Sequence, residues 1–463
     1  MSMPSLPVVI IGAGPVGLAA AAHTIVRGMT PLVFEAGGAV GDGVRRWGHV
    51  RMFSPWRYVL DSAAVGLLSE QRWIAPDADG YPTGNDLVAH YLDPLAASPR
   101  LAPRIRLDTR VIAVSRQGRD RMKDAGRPEA PFVVRVRRDG IEQDVLARAV
   151  IDASGTIDRP GMLGSSGLPA IGEASVSGRL RYGIPDVLGR ERDRYAGRRV
   201  LVAGSGHSAL NVLLDLAALS ADDLGTRVQW VIRRDSPGAV LGGGARDQLE
   251  ERGKLGLRVR HLLEDGRVEV ISGFHIDRVD VTAAGLVVSA DRRRLEPVDE
   301  IVVATGFRPD WSLLSELRLD LDPSVESPRA LAPLIDPNVH SCGTVPPHGA
   351  EELKHPEVNL FAIGMKSYGR APTFLLLTGY EQARSVVSAI AGDWSAARRV
   401  ELVLPETGVC STDRSESAPA GQQHSACCDS VLLSTCCGSD EKAACCGAEE
   451  APSACGCTAP APG

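Results

Sequence analysis

Two stretches of the chain show the same order of an apolar run, closely spaced glycines and a helical pattern. In the first stretch, the apolar run Val8–Ile11 leads into glycines, apolar residues continue to Arg27, and a second apolar run spans Pro31–Phe34. In the second stretch, an apolar run ends at Ala203, a helical pattern follows, and the next apolar run covers residues 228–232. Short apolar runs that alternate with helical segments predict strand–helix–strand units and parallel sheets. We therefore predict an α/β protein.

The first of these units carries the glycine spacing of a dinucleotide-binding turn. Gly12, Gly14 and Gly17 follow the first apolar run in the order GxGxxG. In such a turn the first glycine makes the bend, the second lets a pyrophosphate approach the backbone, and the third allows close helix packing. Glu35 ends the second apolar run eighteen residues after Gly17, where an acid accepts hydrogen bonds from a ribose. The alternative is an ordinary glycine-rich turn between a strand and a helix.

The second unit repeats the turn but ends differently. Its glycine segment reads GSGHSA, and the apolar strand that follows ends in Arg233 and Arg234 instead of an acid. An acid at that place favours a free 2′-hydroxyl, whereas arginines favour a 2′-phosphate. The second site is therefore predicted to prefer NADPH, the alternative being that the two arginines only solvate the end of a strand. The candidate contacts within the glycine segment are Gly204, Gly206 and Ser208.

Two dinucleotide sites of opposite character in one chain imply two nucleotides that exchange a hydride. The acidic site suits FAD and the basic site suits NADPH. A helical pattern begins after Pro372, and Thr373 at its start is a further candidate because a helix N-terminus stabilises an anionic reduced flavin. Three more apolar strands end in a small residue, and they contribute the candidate cofactor contacts Gly155, Gly306 and Gly364.

The motifs GAGPVG, GSGHSA, ATGFRPD and NLFAIG follow one another in this order. Over about residues 6 to 395 the sequence resembles the two-dinucleotide-binding-domain flavoproteins, and within them the flavin-dependent monooxygenases. The resemblance implies an FAD domain that is split by an inserted NADPH domain, and a strand-rich excursion from the FAD domain over residues 104–148. The predicted divisions are 1–169 for the first part of the FAD domain, 170–297 for the NADPH domain and 298–404 for the second part of the FAD domain.

The same architecture serves disulfide reductases, which relay electrons through a pair of cysteines beside the flavin. Before residue 405 the sequence contains one cysteine, Cys342, so a relay of this kind has no second sulfur in the body of the chain. Reduced flavin must then pass its electrons to oxygen or to another acceptor directly. Residues 44–58 mix aromatic and polar side chains as a flavin site requires, and our catalytic candidates there are Trp47, His49 and Ser54. The alternative is a surface loop with packing tryptophans and a structural histidine.

The last part of the chain differs in composition from the rest. From Glu406 onward there are eight acidic and two basic side chains, so this part carries a net charge of −6, equal to that of the whole chain. It is rich in small residues and nearly lacks aromatic ones, and we predict that residues 405–463 are a disordered tail. Nine of the ten cysteines lie here, and the candidate metal ligands among them are Cys427, Cys428, Cys436, Cys437, Cys445, Cys446, Cys455 and Cys457.

Adjacent cysteine pairs do not match the spacing of zinc sites, but thiolates bind Cu(I) and, by the same logic, trivalent arsenic or antimony. Such tails resemble those of proteins that are encoded with arsenic resistance. Our leading hypothesis is an NADPH- and FAD-dependent monooxygenase that uses oxygen to oxidise a soft nucleophile, with arsenic or antimony species first. The alternatives are a reductase whose tail cysteines shuttle electrons, and a soft-metal sensor or buffer. The tail itself is either a substrate collector, a storage segment or an extension without function.

The start of the chain and its charge set the expected surroundings. The chain enters its first apolar run without a basic leader, and no apolar stretch is long enough to span a bilayer. We therefore expect a cytoplasmic protein without membrane insertion. The body of the chain is close to neutral, which argues against a nucleic-acid partner.

Overall fold

The computed structural model describes residues 6–223, 225–241, 249–339, 345–371 and 374–402. Its strands in chain order are β1 Val8–Ile11, β2 Pro31–Phe34, β3 Ile105–Arg106, β4 Arg110–Arg116, β5 Phe132–Arg138, β6 Ile141–Ala147, β7 Ala149–Asp152, β8 Leu180–Tyr182, β9 Arg199–Ala203, β10 Arg227–Val231, β11 Glu269–Ile271, β12 Arg278–Thr282, β13 Gly285–Ala290, β14 Arg293–Arg294, β15 Glu300–Val303 and β16 Leu360–Ala362. Its helices are α1 Pro15–Val26, α2 Asp42–Arg45, α3 Ser62–Ser69, α4 Gly84–Leu87, α5 Asp93–Ala96, α6 Arg192–Tyr195, α7 His207–Asp222, α8 Glu250–Glu264, α9 Ala332–Ile335, α10 Ala350–Leu353, α11 Leu376–Ile390 and α12 Trp394–Arg398.

Two five-stranded parallel sheets form the centre of the fold. The first has the strand order β16-β7-β1-β2-β3, and the second has the order β11-β10-β9-β15-β8. Every residue of β1 and of β7 is buried, because helices α1 and α11 pack on one face of this sheet and strands β4 and β5 pack on the other. The α/β class with two parallel, dinucleotide-binding-like sheets is thereby confirmed.

Helices α1 and α11 cover the first sheet and pack closely against each other. A Cβ atom placed on Gly379 of α11 would lie 2.6 Å from a methyl carbon of Val16 in α1, so only glycine permits this approach. The alanines of α1, from Ala19 to Ala22, are fully buried in the same apolar core. Small residues along α1 therefore bring α11 close to the glycine turn at the start of α1.

The two parallel sheets repeat one construction. In the first sheet β7 pairs with β1, and in the second β15 pairs with β9 in the same parallel sense. The apolar strand that precedes Gly306 therefore contributes β15, an inner strand, to the second sheet. Strand pairing extends that sheet past residue 297, the predicted end of the inserted domain, because β15 occupies the place that β7 has in the first unit. The division of the chain at residues 169, 297 and 404 stays a prediction.

The strand-rich excursion forms a small antiparallel sheet of β4, β5 and β6, and a buried ion cluster fastens it to the first unit. Arg116 Nε donates to Glu357 Oε1 at 2.8 Å, and Arg127 Nη2 donates to Glu357 Oε2 at 2.6 Å. All three side chains are buried, and Glu357 lies just before β16. Burial opposes ionisation of Glu357 most strongly, but hydrogen bonds from Arg127, Arg116 and the Arg318 amide hold the pKa of its carboxyl below the usual value.

We expect Arg127→Met to lower the free energy of unfolding by about 2 kcal/mol. Arg127 also donates to the carbonyl oxygens of Asp120 and Glu316, at 2.7 and 3.0 Å, and these acceptors would lose their partner. Arg116 would still balance the charge of Glu357. The matched control is Arg135→Met, which removes an exposed pair with Asp144 on the same small sheet and should change stability by less than about 0.5 kcal/mol. Urea denaturation measures the free energy of unfolding of both variants. Equal losses in the two variants would contradict the stabilising role of the buried ion cluster.

Candidate functional site

The first glycine turn has a different steric requirement at each of its three glycines. Gly12 has φ +97°, and a Cβ atom there would lie 2.7 Å from the carbonyl oxygen of Ala153, which follows β7. A Cβ atom on Gly17 would lie 2.1 Å from the carbonyl oxygen of Gly12. A Cβ atom on Gly14 would meet no atom of the described residues within 4 Å. Two glycines therefore serve packing, while Gly14 leaves open space at the N-terminus of α1, where backbone amides receive a pyrophosphate.

Glu35 closes this turn from the end of β2. Its carboxylate accepts hydrogen bonds from the Ala13 amide at 2.7 Å and from the Gly37 amide at 2.8 Å. A carboxylate offers about four acceptor sites, so two amides leave capacity for ribose hydroxyls. Glu35 is half-buried and held in place before any nucleotide arrives. Gly155, with φ +71° and open space on its Cβ side, lies beside the same turn after β7.

The second glycine turn reproduces these features at the start of α7. Gly204 has φ +132°, and a Cβ atom there would lie 2.2 Å from the carbonyl oxygen of Ala304, which follows β15. Gly206 and Gly306 have open space on their Cβ side, as Gly14 and Gly155 do. The buried indole of Trp230 in β10 donates to the Gly204 carbonyl at 2.7 Å, which fixes the turn from below. Ser208 lies in the first turn of α7.

The predicted phosphate-binding arginines lie exposed just beyond β10. Arg233 Nη1 donates to the Ser165 carbonyl at 2.9 Å, and the Arg234 carbonyl accepts from the Gly273 amide at 2.8 Å. Arg293, from β14, donates to the Gly273 carbonyl at 3.2 Å. The structure thus adds a third arginine beside Arg234, which the sequence did not single out because it lies 59 residues further along the chain.

The segment of the catalytic candidates runs between the two units. Trp47 is half-buried, and its ring packs on Gly84, where a Cβ atom would lie 2.9 Å from ring carbons. Ser54 is buried. Phe53 contacts His207, the first residue of α7, with ring centroids 5.4 Å apart. Residues 44–58 therefore reach from the first unit to the second glycine turn, although nothing in the contacts assigns a chemical step to Trp47, His49 or Ser54.

His49 belongs to a polar junction between this segment and the second unit. Both of its ring nitrogens are shielded from solvent, and neither has a hydrogen-bond partner among the residues that the structure describes. Burial opposes ionisation of Asp186, but hydrogen bonds from Arg190 and electrostatic attraction to the nearby His49 hold the pKa of its carboxyl below the usual value. Burial, and then the charge of Asp186, raise the pKa of Asp215 in α7 to about 6. His49 thus lies near an acidic group of the second unit, Asp186.

Of the remaining candidate residues, Gly364 is among the described residues and the others are not. Gly364 follows β16 with φ +71°, and its amide donates to Gln382 of α11 at 2.7 Å. Thr373, Cys342 and the eight candidate cysteines of the tail lie outside the described residues, and α11 begins at Leu376. Among the side chains that the structure describes, no group of three His, Cys, Asp or Glu is arranged to hold a metal ion.

The sequence profile described as pyridine nucleotide-disulphide oxidoreductase matches residues 9–329, which is more than half of the chain. The chain belongs to this family. The expected resemblance to two-dinucleotide-binding-domain flavoproteins is thereby confirmed. Within the described part of the chain, no helix is both long and apolar enough to cross a membrane.

Relatives of this pyridine nucleotide-disulphide oxidoreductase include enzymes of different chemistry. A ferredoxin–NADP reductase of Lactobacillus helveticus is 24% identical over 69% of this chain and 83% of its own length. The indole-3-pyruvate monooxygenase YUCCA1 of Oryza sativa subsp. japonica is 29% identical over an aligned region that covers 45% of this chain and 44% of that relative. Among solved structures, the bacillithiol disulfide reductase Bdr of Bacillus cereus shares the fold, with a TM-score of 0.61, 21% identity and coverage of 84% and 99% of the two chains.

The chain is an NADPH-linked flavin oxidoreductase, with FAD and NADPH as its cofactors. The residues at the first turn fit FAD because Gly14 and Gly155 leave an open edge beside a prearranged acid. The second turn fits NADPH because its open glycines lie on the same sheet as a cluster of arginines. Bound FAD supplies the redox chemistry of such an enzyme, and the chain supplies binding, orientation and exclusion of water.

Sequence reasoning missed several residues that shape these sites. Phe53 lies within the segment we singled out, but no spacing marks it as a partner of His207. Trp230 reads as an ordinary residue of an apolar strand. Lys366 carried one usable signal: a lysine four residues after the buried strand β16 is itself expected to be buried, and a buried ammonium needs an acidic partner.

Proposed function

We propose that this flavin oxidoreductase is an NADPH-dependent monooxygenase that oxidises a soft nucleophile, with trivalent arsenic or antimony species as its first substrates. The observation that carries the proposal is that Cys342 is the single cysteine before residue 405. An enzyme of this architecture that reduces disulfides needs two cysteines beside the flavin. Oxygen is an acceptor that needs no such pair.

The proposed reaction balances with the two cofactors of the family. One NADPH supplies a hydride, which carries two electrons, and one O₂ is consumed for each substrate. One oxygen atom is added to the substrate at its lone pair. The other oxygen atom combines with the hydrogen delivered as hydride and with one proton from solvent, and leaves as water. Trivalent arsenic and antimony have such a lone pair, and the step oxidises them by two electrons to the pentavalent state.

Each group of residues has a proposed role. The first turn and Glu35 bind FAD, with Gly155 and Gly364 at its edge, and the second turn with Arg233 and Arg234 binds NADPH. Trp47, His49 and Ser54 line the space between the two nucleotides and keep water away from it. His49 suits this place because neither ring nitrogen bonds to a described residue, so both can bond to a bound molecule.

The tail motivates the choice of a thiophilic substrate. Six of its cysteines form three adjacent pairs, at 427–428, 436–437 and 445–446, nine residues apart. Nine residues turn an α-helix through about 900°, so successive pairs would face opposite sides and build no single helical stripe. A thiophilic centre that needs two or three sulfurs suits adjacent pairs on a segment that the sequence predicts to be disordered. We propose that these pairs collect the metalloid and raise its concentration near the flavin.

Deleting residues 406–463 tests this role. With arsenite as the substrate, the apparent KM for substrate-stimulated NADPH oxidation should rise about tenfold while kcat at saturation stays the same, because only the local concentration changes. The matched control replaces the six paired cysteines with serine and keeps the length and charge of the tail. An unchanged apparent KM in both variants would rule out delivery.

A reductase that uses the tail cysteines as an electron shuttle is the second candidate, favoured by the fold it shares with a disulfide reductase. Oxygen consumption separates the two. The monooxygenase takes up one O₂ per NADPH and is inactive without air, whereas the reductase turns over anaerobically and loses its activity with the tail. Tight binding of a soft metal without any NADPH turnover would indicate a sensor or buffer.

A further inference from the structure

A fully buried ion pair lies at the carboxyl end of the first sheet. Lys366 Nζ is 2.5 Å from Asp152 Oδ2, and neither side chain has any exposed surface. The same ammonium donates to Ser154 Oγ at 3.1 Å and lies 5.1 Å from the centre of the Trp311 ring. The two partners are separated by 214 residues, so the contact exists only in the folded chain.

This pair lies directly beneath the first glycine turn. Asp152 ends β7, and it is in register with Ile11 at the end of β1 and with Ala362 at the end of β16. The amide and the hydroxyl of Ser154 both donate to Asp152 Oδ1, at 3.1 and 2.7 Å. The ion pair therefore fixes the segment 152–155, which leads into Gly155.

The glycine turn rests on that same segment. A Cβ atom on Gly12 would lie 2.7 Å from the Ala153 carbonyl oxygen and 3.1 Å from Ser154 Cα. A shift of segment 152–155 by a few tenths of an ångström would therefore move the turn or open a gap beneath it. Glu35 would lose its fixed place as well, because it bonds to the Ala13 amide within the turn.

Stability alone gives little reason for a pair of charges in this position. Removing two charges from water costs free energy that their attraction only partly returns, and apolar residues of similar volume often serve a fold as well or better. Strand β16 offers a comparison, because Glu357 and its two arginines form a second buried ion cluster before its first residue. The cluster at the amino end fastens a peripheral sheet, whereas the pair at the carboxyl end lies on the nucleotide side.

We propose that Lys366 is a positioning residue of the FAD site. Acting through Asp152 and Ser154, it holds segment 152–155 in the geometry that keeps Gly12 and Gly155 at an open, preformed edge for the pyrophosphate. A preformed edge raises affinity because the ordering of the loop precedes binding. The inference depends on FAD binding at the first turn and not on which substrate is oxidised.

The test measures FAD binding by the apoprotein instead of turnover. The double variant Lys366→Met with Asp152→Asn leaves no unpaired buried charge, and we expect its dissociation constant for FAD, from quenching of flavin fluorescence, to rise about tenfold. Ser154→Ala removes one link and should raise it about threefold, and it provides the measurement if the double variant does not fold. Binding of NADP⁺ at the second turn should stay within twofold of the wild type in both variants.

The matched control is Arg127→Met at the other end of β16. It should lower the urea midpoint of the apoprotein and leave the dissociation constant for FAD within twofold of the wild type. The proposal is overturned if Ser154→Ala leaves FAD affinity unchanged, or if Arg127→Met weakens FAD binding as much as the double variant does. In that case the Lys366 pair would only stabilise the fold.

Discussion

Gly14→Val is expected to give a folded protein that no longer holds FAD, with the dissociation constant raised about 1,000-fold, or ~4 kcal/mol. Gly14 has φ −76° and ψ −178°, an extended conformation that valine adopts without strain. No atom of the described part of the chain lies within 4 Å of the added Cβ position, so the apoprotein is expected to accommodate the side chain. The same space must admit the pyrophosphate, which valine would displace from the amides at the start of α1. Flavin absorbance and fluorescence titration of the apoprotein measure the effect.

Gly206→Val is the matched control at the second turn. Gly206 is also extended, with φ −89° and ψ 176°, and also has open space on its Cβ side. This variant should retain bound flavin and lose NADPH binding, so the two substitutions should give reciprocal patterns. Loss of flavin in both variants, or in neither, would contradict the assignment of FAD to the first turn and NADPH to the second.

Gly17→Ala should behave differently from Gly14→Val, because its added Cβ atom would lie 2.1 Å from the Gly12 carbonyl oxygen. Helix α1 would have to move away from β1, and we expect a loss of about 2 to 3 kcal/mol in the stability of the apoprotein. Flavin would be lost together with stability, whereas Gly14→Val should lose flavin alone. Urea midpoints of the two apoproteins distinguish a packing glycine from a binding glycine.

Local spacing explains why the glycine turns could be predicted from the sequence. The bend, the open approach and the close helix contact each require glycine within six residues, and the acid or the arginines follow at the end of the next strand. These requirements act within one strand–helix–strand unit. Because residues close together in the chain satisfy these requirements, the pattern can be recognised in the sequence.

Long-range partner choice explains what could not be predicted. Lys366 meets Asp152 across 214 residues, and Arg127 meets Glu357 across 230. No pattern of neighbouring residues predicts such pairs. A buried charge needs a partner of opposite charge, but the acid or base can come from the end of any strand. The same limit applies to β15: its apolar residues predict a buried strand, but pairing with β9 is decided by which sheet it can complete. The contact of Phe53 with His207 could not be predicted for the same reason, because the two residues belong to different units.

Replacing Arg233 and Arg234 with glutamine should lower kcat/KM for NADPH about 100-fold and leave kcat/KM for NADH almost unchanged. Each guanidinium that bonds to a phosphate contributes about 1.5 kcal/mol, and the 2′-phosphate is the part of NADPH that NADH lacks. Because Arg233 already donates to the Ser165 carbonyl, we expect Arg234 to carry the larger share. Steady-state kinetics of NADPH and NADH oxidation by the single and double variants measures this.

Arg278→Gln supplies the control, since it removes an exposed positive charge from the same part of the chain, where Arg278 lies near Asp280 in β12. It should leave the ratio of kcat/KM for the two nucleotides unchanged, because a loss of general attraction would lower both values alike. Arg293→Gln should lower the NADPH value alone if its guanidinium, beside Gly273, also reaches the 2′-phosphate. Equal losses for NADPH and NADH in the Arg233 and Arg234 variants would mean that these arginines serve the fold and not the choice of nucleotide.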